Sequence, residues 1–154
     1  MTLAACSSSA TGYVALALDP AGRLAAVVAV CDGQRIGWLT LTDQTTQTST
    51  TVKPSNTPSF GGTILLTGPV GDPRPEGALD LLDRADDYSL DGGTIEANSD
   101  ESTGNLAPVR FKLDAVVKEA RLKQGYVLAR GTDDAGTAVV IKREEFVDRA
   151  RRDC

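Results

Sequence analysis

Apolar and polar positions alternate with a period of two over much of this chain, so β-strands are the elements it predicts first. Val14, Leu16 and Leu18 share one face, and Asp19-Pro20-Ala21-Gly22 follows with the chemistry of a type I turn. Leu24, Ala26, Val28 and Val30 then return, which completes a hairpin. Residues 24–31 (LAAVVAVC) are the longest apolar run, a length that suits a buried strand and falls far short of a membrane span. Asp32-Gly33 marks the next turn, and Ile36, Trp38, Leu39 and Leu41 belong to a third strand. Trp38, the only tryptophan, is expected to fill the core.

Residues 42–59 (TDQTTQTSTTVKPSNTPS) change composition sharply. They read either as a polar edge strand over 46–52, blunted by Lys53, Pro54 and Pro58, or as a flexible loop of the kind that carries O-linked sugars. A short buried strand is predicted at 63–67 and a loop with two prolines at 70–77. Ala78, Leu79, Leu81, Leu82 and Ala85 then recur at helical spacing. Asp91-Gly92-Gly93 reads as a turn, 94–97 as a short strand and 98–105 as a polar loop.

The clearest strand covers 109–117, where Val109, Phe111, Leu113 and Ala115 alternate with Arg110, Lys112 and Asp114. Residues 126–130 are its expected partner, and 138–142 return after Asp133-Asp134-Ala135-Gly136. Residues 143–153 predict a closing helix. Glu144 and Glu145 stand in its first turn, Arg149, Arg151 and Arg152 near its end, and Phe146, Val147 and Ala150 on one face. The whole predicts a mainly β, sandwich-like or barrel-like domain of about seven to eight strands, with a short middle helix and a C-terminal helix. One curved α+β sheet is the alternative architecture.

The 154 residues, 41% of them hydrophobic, suffice for a single domain with a core, taken as 13–154. With 21 acidic against 16 basic side chains the net charge is -5, which argues against nucleic acid as a partner. The chain contains no histidine, so serine–histidine and cysteine–histidine nucleophile systems are excluded.

Carboxylates are the remaining candidates for chemistry. Asp87, Ser89, Asp91 and Gly92 fall at places one, three, five and six of an EF-hand-like calcium loop, with Asn98 at the twelfth. The match departs at Thr94, where an apolar residue is required, and at Asn98, where a bidentate glutamate is required. With these departures the segment reads first as an exposed acidic loop and no cofactor is expected, calcium at Asp87, Ser89 and Asp91 being the one alternative the spacing offers. Asp86, Asp87, Glu96 and Glu145 are the candidates for paired acid and base work on a glycan. Phe60-Gly61-Gly62-Thr63 precedes a strand instead of opening a helix, so it reads as a turn and not as a phosphate loop.

Leu3-Ala4-Ala5-Cys6 followed by Ser7, Ser8 and Ser9 resembles the lipobox of bacterial lipoproteins, where small residues precede the lipid-bearing cysteine. The resemblance implies a lipid on Cys6, residues 1–12 as signal remnant and flexible tether, and the rest of an export signal upstream of residue 1. The alanine- and valine-rich strands, with arginine preferred to lysine, resemble exported actinobacterial proteins. With Cys6 set aside for lipid, Cys31 and Cys154 form an even pair that would suit a disulfide; in an intracellular protein all three would be free thiols. The expected function is thus an extracellular, lipid-anchored, non-enzymatic domain binding an unknown protein or glycan, touching the membrane only through the lipid on Cys6. The alternatives are a carboxylate-dependent glycan hydrolase and an intracellular or phage structural protein.

Overall fold

The structure is a computed structural model that describes residues 10–18, 20, 24–54, 56–66, 87–99, 101–112, 125–133 and 137–154. The expected middle helix and Cys6 lie outside the described residues. In chain order the strands are β1 (Gly12–Leu18), β2 (Leu24–Val30), β3 (Gln34–Asp43), β4 (Thr48–Val52) and β5 (Gly62–Leu65). They continue as β6 (Asp87–Glu96), β7 (Ser102–Ala107), β8 (Val109–Lys112), β9 (Tyr126–Arg130) and β10 (Ala138–Lys142), followed by helix α1 (Arg143–Asp153). The fold is mainly β, as the alternation predicts, with ten strands among the described residues in a mostly antiparallel network.

That network has two halves. One half runs β5-β2-β1-β9-β10 and the other β4-β3-β6, with β7 and β8 sharing the far edge of β6. They join where β7 leaves β6 and pairs in parallel with the start of β1, Gly12 opposite Leu106 and Tyr13 opposite Ala107. Val14, Leu16, Leu24, Ala26 and Val28 of the first half pack against Ile36, Leu39, Tyr88, Leu90 and Phe111 of the second, giving a sandwich-like core. Tyr88 and Phe111, opposite one another in register, stack with ring centroids 5.7 Å apart.

The opposite face of the first half is also buried. Ala15, Ala17, Val27, Ala29, Val127 and Ala129 pack against Phe146 and Ala150 of α1. Residues 24–30 are apolar without interruption because both faces of β2 are covered. A disulfide between Cys31, just past β2, and Cys154, at the end of α1, joins Cα atoms 5.4 Å apart across a sequence separation of 123. The start of α1 is fastened as well, the Arg143 guanidinium donating to the carbonyl of Gly61, and in the last turn Arg151 lies over the Phe60 ring at 5.5 Å.

Several expectations are corrected. Residues 87–96 form one strand instead of an acidic loop with a turn at Asp91-Gly92-Gly93. The glycines serve close approach, not chain reversal: a Cβ on Gly92 would lie 2.3 Å from the Trp38 carbonyl, and one on Gly93 2.1 Å from the Trp38 ring. Residues 102–105 of the expected polar loop also belong to a strand, β7, held by pairing to β6 and β1. Residues 109–112 pair with β6 and not with 126–130, which instead joins β1 and β10. The polar segment takes the edge-strand form over Thr48–Val52, pairing with β3 and backed by hydroxyl pairs Thr40–Thr51 and Thr42–Ser49.

Trp38 is not a core filler. The β3–β6 register shifts between Ile36 and Trp38, leaving Gly37 as a bulge. Inward positions therefore move from Ile36 to Leu39, and Trp38 turns to the outer face, where its ring lies on Gly93. A methyl group at Gly93 has no room beneath that ring. Gly93→Ala is expected to destabilise by about 1–3 kcal/mol. Urea unfolding followed by Trp38 emission measures this, and an unchanged midpoint would contradict the packing.

Candidate functional site

The outer edge of β1 is shared by two strands that approach from different directions. Beside Gly12 and Tyr13 runs β7, parallel; beside Leu16 the partner is Leu128 of β9, antiparallel. Among the described residues no strand pairs with that edge at Val14 and Ala15, because β9 diverges after Leu128. The sheet forks there. Helix α1 crosses the same face, and between helix and fork lies a cleft of about 430 Å³, within the range of small-ligand sites.

The cleft has an apolar interior and a polar mouth. Ala107, Ala129 and Ile141 come from the sheet, and Phe146 and Ala150 from the buried face of α1. The alanines matter because larger side chains there would fill the space. Tyr13, Arg130, Arg149 and Asp153 supply the polar atoms. Arg149 is engaged with Glu145 one helical turn away, Nη2 to Oε1 2.7 Å. Arg130 is exposed and has no ion-pair partner among the described residues. Burial raises the pKa of Tyr13, and the nearby Asp153 carboxylate raises it further. The phenol is therefore a neutral hydrogen-bonding group at any physiological pH.

The residues singled out from sequence do not converge on this cleft. Asp87, Ser89 and Asp91 alternate along β6, and Ser89 is buried, so the calcium loop expected from their spacing is an extended strand. An EF-hand loop must wrap around its ion, whereas alternate strand residues stand about 7 Å apart along a line. Among the described residues no three His, Cys, Asp or Glu side chains are grouped to hold a metal ion. Asp87 and Glu96 stand at opposite ends of β6, roughly 30 Å apart on strand rise, and Glu145 lies on α1. The structure brings no pair of them together; Asp86 lies outside the described residues. Cys31 and Cys154 are joined, with the bond adjacent to Asp153 at the cleft mouth.

No residue of the polar mouth was legible as a site. Arg149 reads as dipole complement, and Tyr13, Arg130 and Asp153 as ordinary solvated positions; they meet only because β1, β9 and the end of α1 do. Among the described residues no helix is long and apolar enough to cross a membrane. Comparison of the chain with protein-family models, curated proteins and solved structures finds no match.

Two titrations check the electrostatics. Tyr13 should ionise above the ordinary tyrosine range in a spectrophotometric titration, and Asp153→Asn should bring it only part of the way back, because burial is the larger cause. With its folded pKa raised, Tyr13 contributes stability that is complete below about pH 10 and lost as pH rises through the folded value. Asp91, on the outer face of β6, also has its pKa raised by burial. Its ionised form is the disfavoured one, so stability from this group falls as pH rises through its folded pKa. Asp91→Asn should accordingly stabilise at neutral pH, by under about 1 kcal/mol after solvent screening. In urea unfolding that gain should vanish below the carboxylate range; a gain independent of pH would refute it.

Proposed function

We propose that this chain is an exported binding domain, held at a bacterial cell surface through a lipid on Cys6, that retains a ligand without transforming it. The observation that carries the reading is the Cys31–Cys154 disulfide. Such bonds persist in oxidising compartments and are reduced in the cytosol of most organisms. Closing a loop of this length stabilises by about 5 kcal/mol in the chain-entropy model. The Leu3-Ala4-Ala5-Cys6 tetrad supports export independently. Binding, and not catalysis, is supported by the apolar cleft with few polar groups and by the scattered carboxylates.

The test uses the chain behind a bacterial lipoprotein leader. Alkylation of the native exported protein, followed by intact mass, should leave Cys31 and Cys154 unmodified until a reductant is added. The protein should fractionate with membranes, and Cys6→Ser should release it. Cys154→Ser should cost about 2–5 kcal/mol in urea unfolding. Native protein in which both thiols react without reduction, or a Cys6→Ser variant that fractionates unchanged, would overturn the reading.

A further inference from the structure

The cleft's charges are arranged unevenly, and that unevenness selects among ligands. Its interior is apolar, and its mouth carries Arg130 on one strand end and Asp153 on the helix end. Arg149 has its counter-ion in Glu145 at 2.7 Å, which leaves Arg130 as the cation at the mouth without an ion-pair partner among the described residues. We infer that the cleft binds a small amphipathic monocarboxylate, its apolar chain lying between Ile141 and Phe146 and its carboxylate on the Arg130 guanidinium. This deepens the binding reading above and rests on it.

Each part of that ligand answers a feature of the site. The guanidinium fork matches the two oxygens of a carboxylate. A dianion such as a phosphate monoester is disfavoured, because Asp153 stands across the same mouth and one unpaired arginine cannot balance two charges. An ammonium group is disfavoured by Arg130 itself. A volume of about 430 Å³ is enough for a chain of about ten carbons.

The fork adds hydrogen-bonding capacity. Consecutive residues of a strand aim their amide and carbonyl groups at opposite edges. Ala15 bonds to β2, and the parallel Tyr13–Ala107 pairing takes the Val14 N–H onto the Ala107 carbonyl, because Pro108 has no amide to offer; the Val14 carbonyl is the backbone group that faces the fork. Together with the neutral Tyr13 hydroxyl, this favours a carboxylate whose chain bears a neighbouring hydroxyl or amide over a plain hydrocarbon acid.

The test is calorimetric titration of the oxidised protein with decanoate, decanol, decylamine and decyl phosphate, each below its micelle concentration, with Tyr13 ring resonances followed in parallel. Decanoate should bind at least tenfold more tightly than the other three and shift the Tyr13 resonances. Arg130→Met, which keeps the apolar stem, should abolish the preference for decanoate over decanol; Arg130→Lys should retain part of it. Equal affinity for decanoate and decanol, a preference that survives Arg130→Met, or binding that leaves Tyr13 unmoved would each overturn the assignment. Absence of saturable binding would overturn it too. Because thiol protection and membrane fractionation are measured separately, failure here leaves the export reading intact, and failure there leaves the ligand result intact.

Discussion

Strands β1 and β2 are apolar on both faces, and the rest of the fold is arranged around covering them twice. On the sandwich side the cover is the half-sheet β4-β3-β6, whose Ile36, Leu39 and Leu90 meet Val14, Leu16 and Val28. On the other side the cover is a single helix. Of the strand residues facing it, Ala15, Ala17, Ala29 and Ala129 are small and stand beside Val27 and Val127, which lets α1 approach closely but offers little apolar area at the alanines. An isolated helix of 11 residues is marginal in water, and only Phe146 and Ala150 of α1 are buried. Its docking therefore depends on fasteners at its ends: Arg143 bonded to the Gly61 carbonyl at the start and the Cys31 disulfide at the finish.

The same fasteners set the shape of the cleft. One wall is α1 and the other is the diverging end of β9, so displacement of the helix end by a few ångströms would change the position of Ala150 and Asp153 against Tyr13. A bond at Cys154, the next residue after Asp153, limits that movement directly. A ligand then meets a site whose walls are already placed, which reduces the ordering cost of binding. Structural stapling and site organisation are here the work of one covalent bond.

Much of the fold was legible because local rules and burial agree. The two-faced apolar run of β2, the antiparallel β9–β10 pair, and α1 with its acidic start and basic end all stand where the sequence predicts them. Strand β6 was not legible because two periodicities coincide. Ligands at places one, three and five of a calcium loop have the spacing of one face of a strand, and Asp87, Ser89 and Asp91 fit both. The adjoining Gly92-Gly93 pair reads as a turn unless the ring that needs the space is known, and Trp38 reaches it only through a bulge at Gly37 that alternation cannot foresee. The cleft was illegible for a different reason. Tyr13, Arg130 and Asp153 are far apart in the chain, and nothing at any one of them departs from an ordinary surface position.

The joint between the two halves explains why the cleft sits where it does. Fully buried Thr94 of β6 shares its hydroxyl with Thr11, which leads into β1, and with Thr103 of β7, whose hydroxyl continues to Gln34 of β3. The Thr11 amide donates to the Asn105 carbonyl, and the Thr11 carbonyl accepts from the Cys31 amide. Beside this network, Tyr13 and Ala107 are register partners in the parallel patch where the halves meet. Strand β7 occupies the edge of β1 only that far, so β9 cannot run alongside β1 over its full length and must turn aside after Leu128. The fork, and with it the cleft, is thus a geometric consequence of joining two half-sheets through one strand. The residues that couple the halves, Tyr13 and Ala107, are also residues of the cleft, so its shape and the integrity of the joint are a single property of the fold.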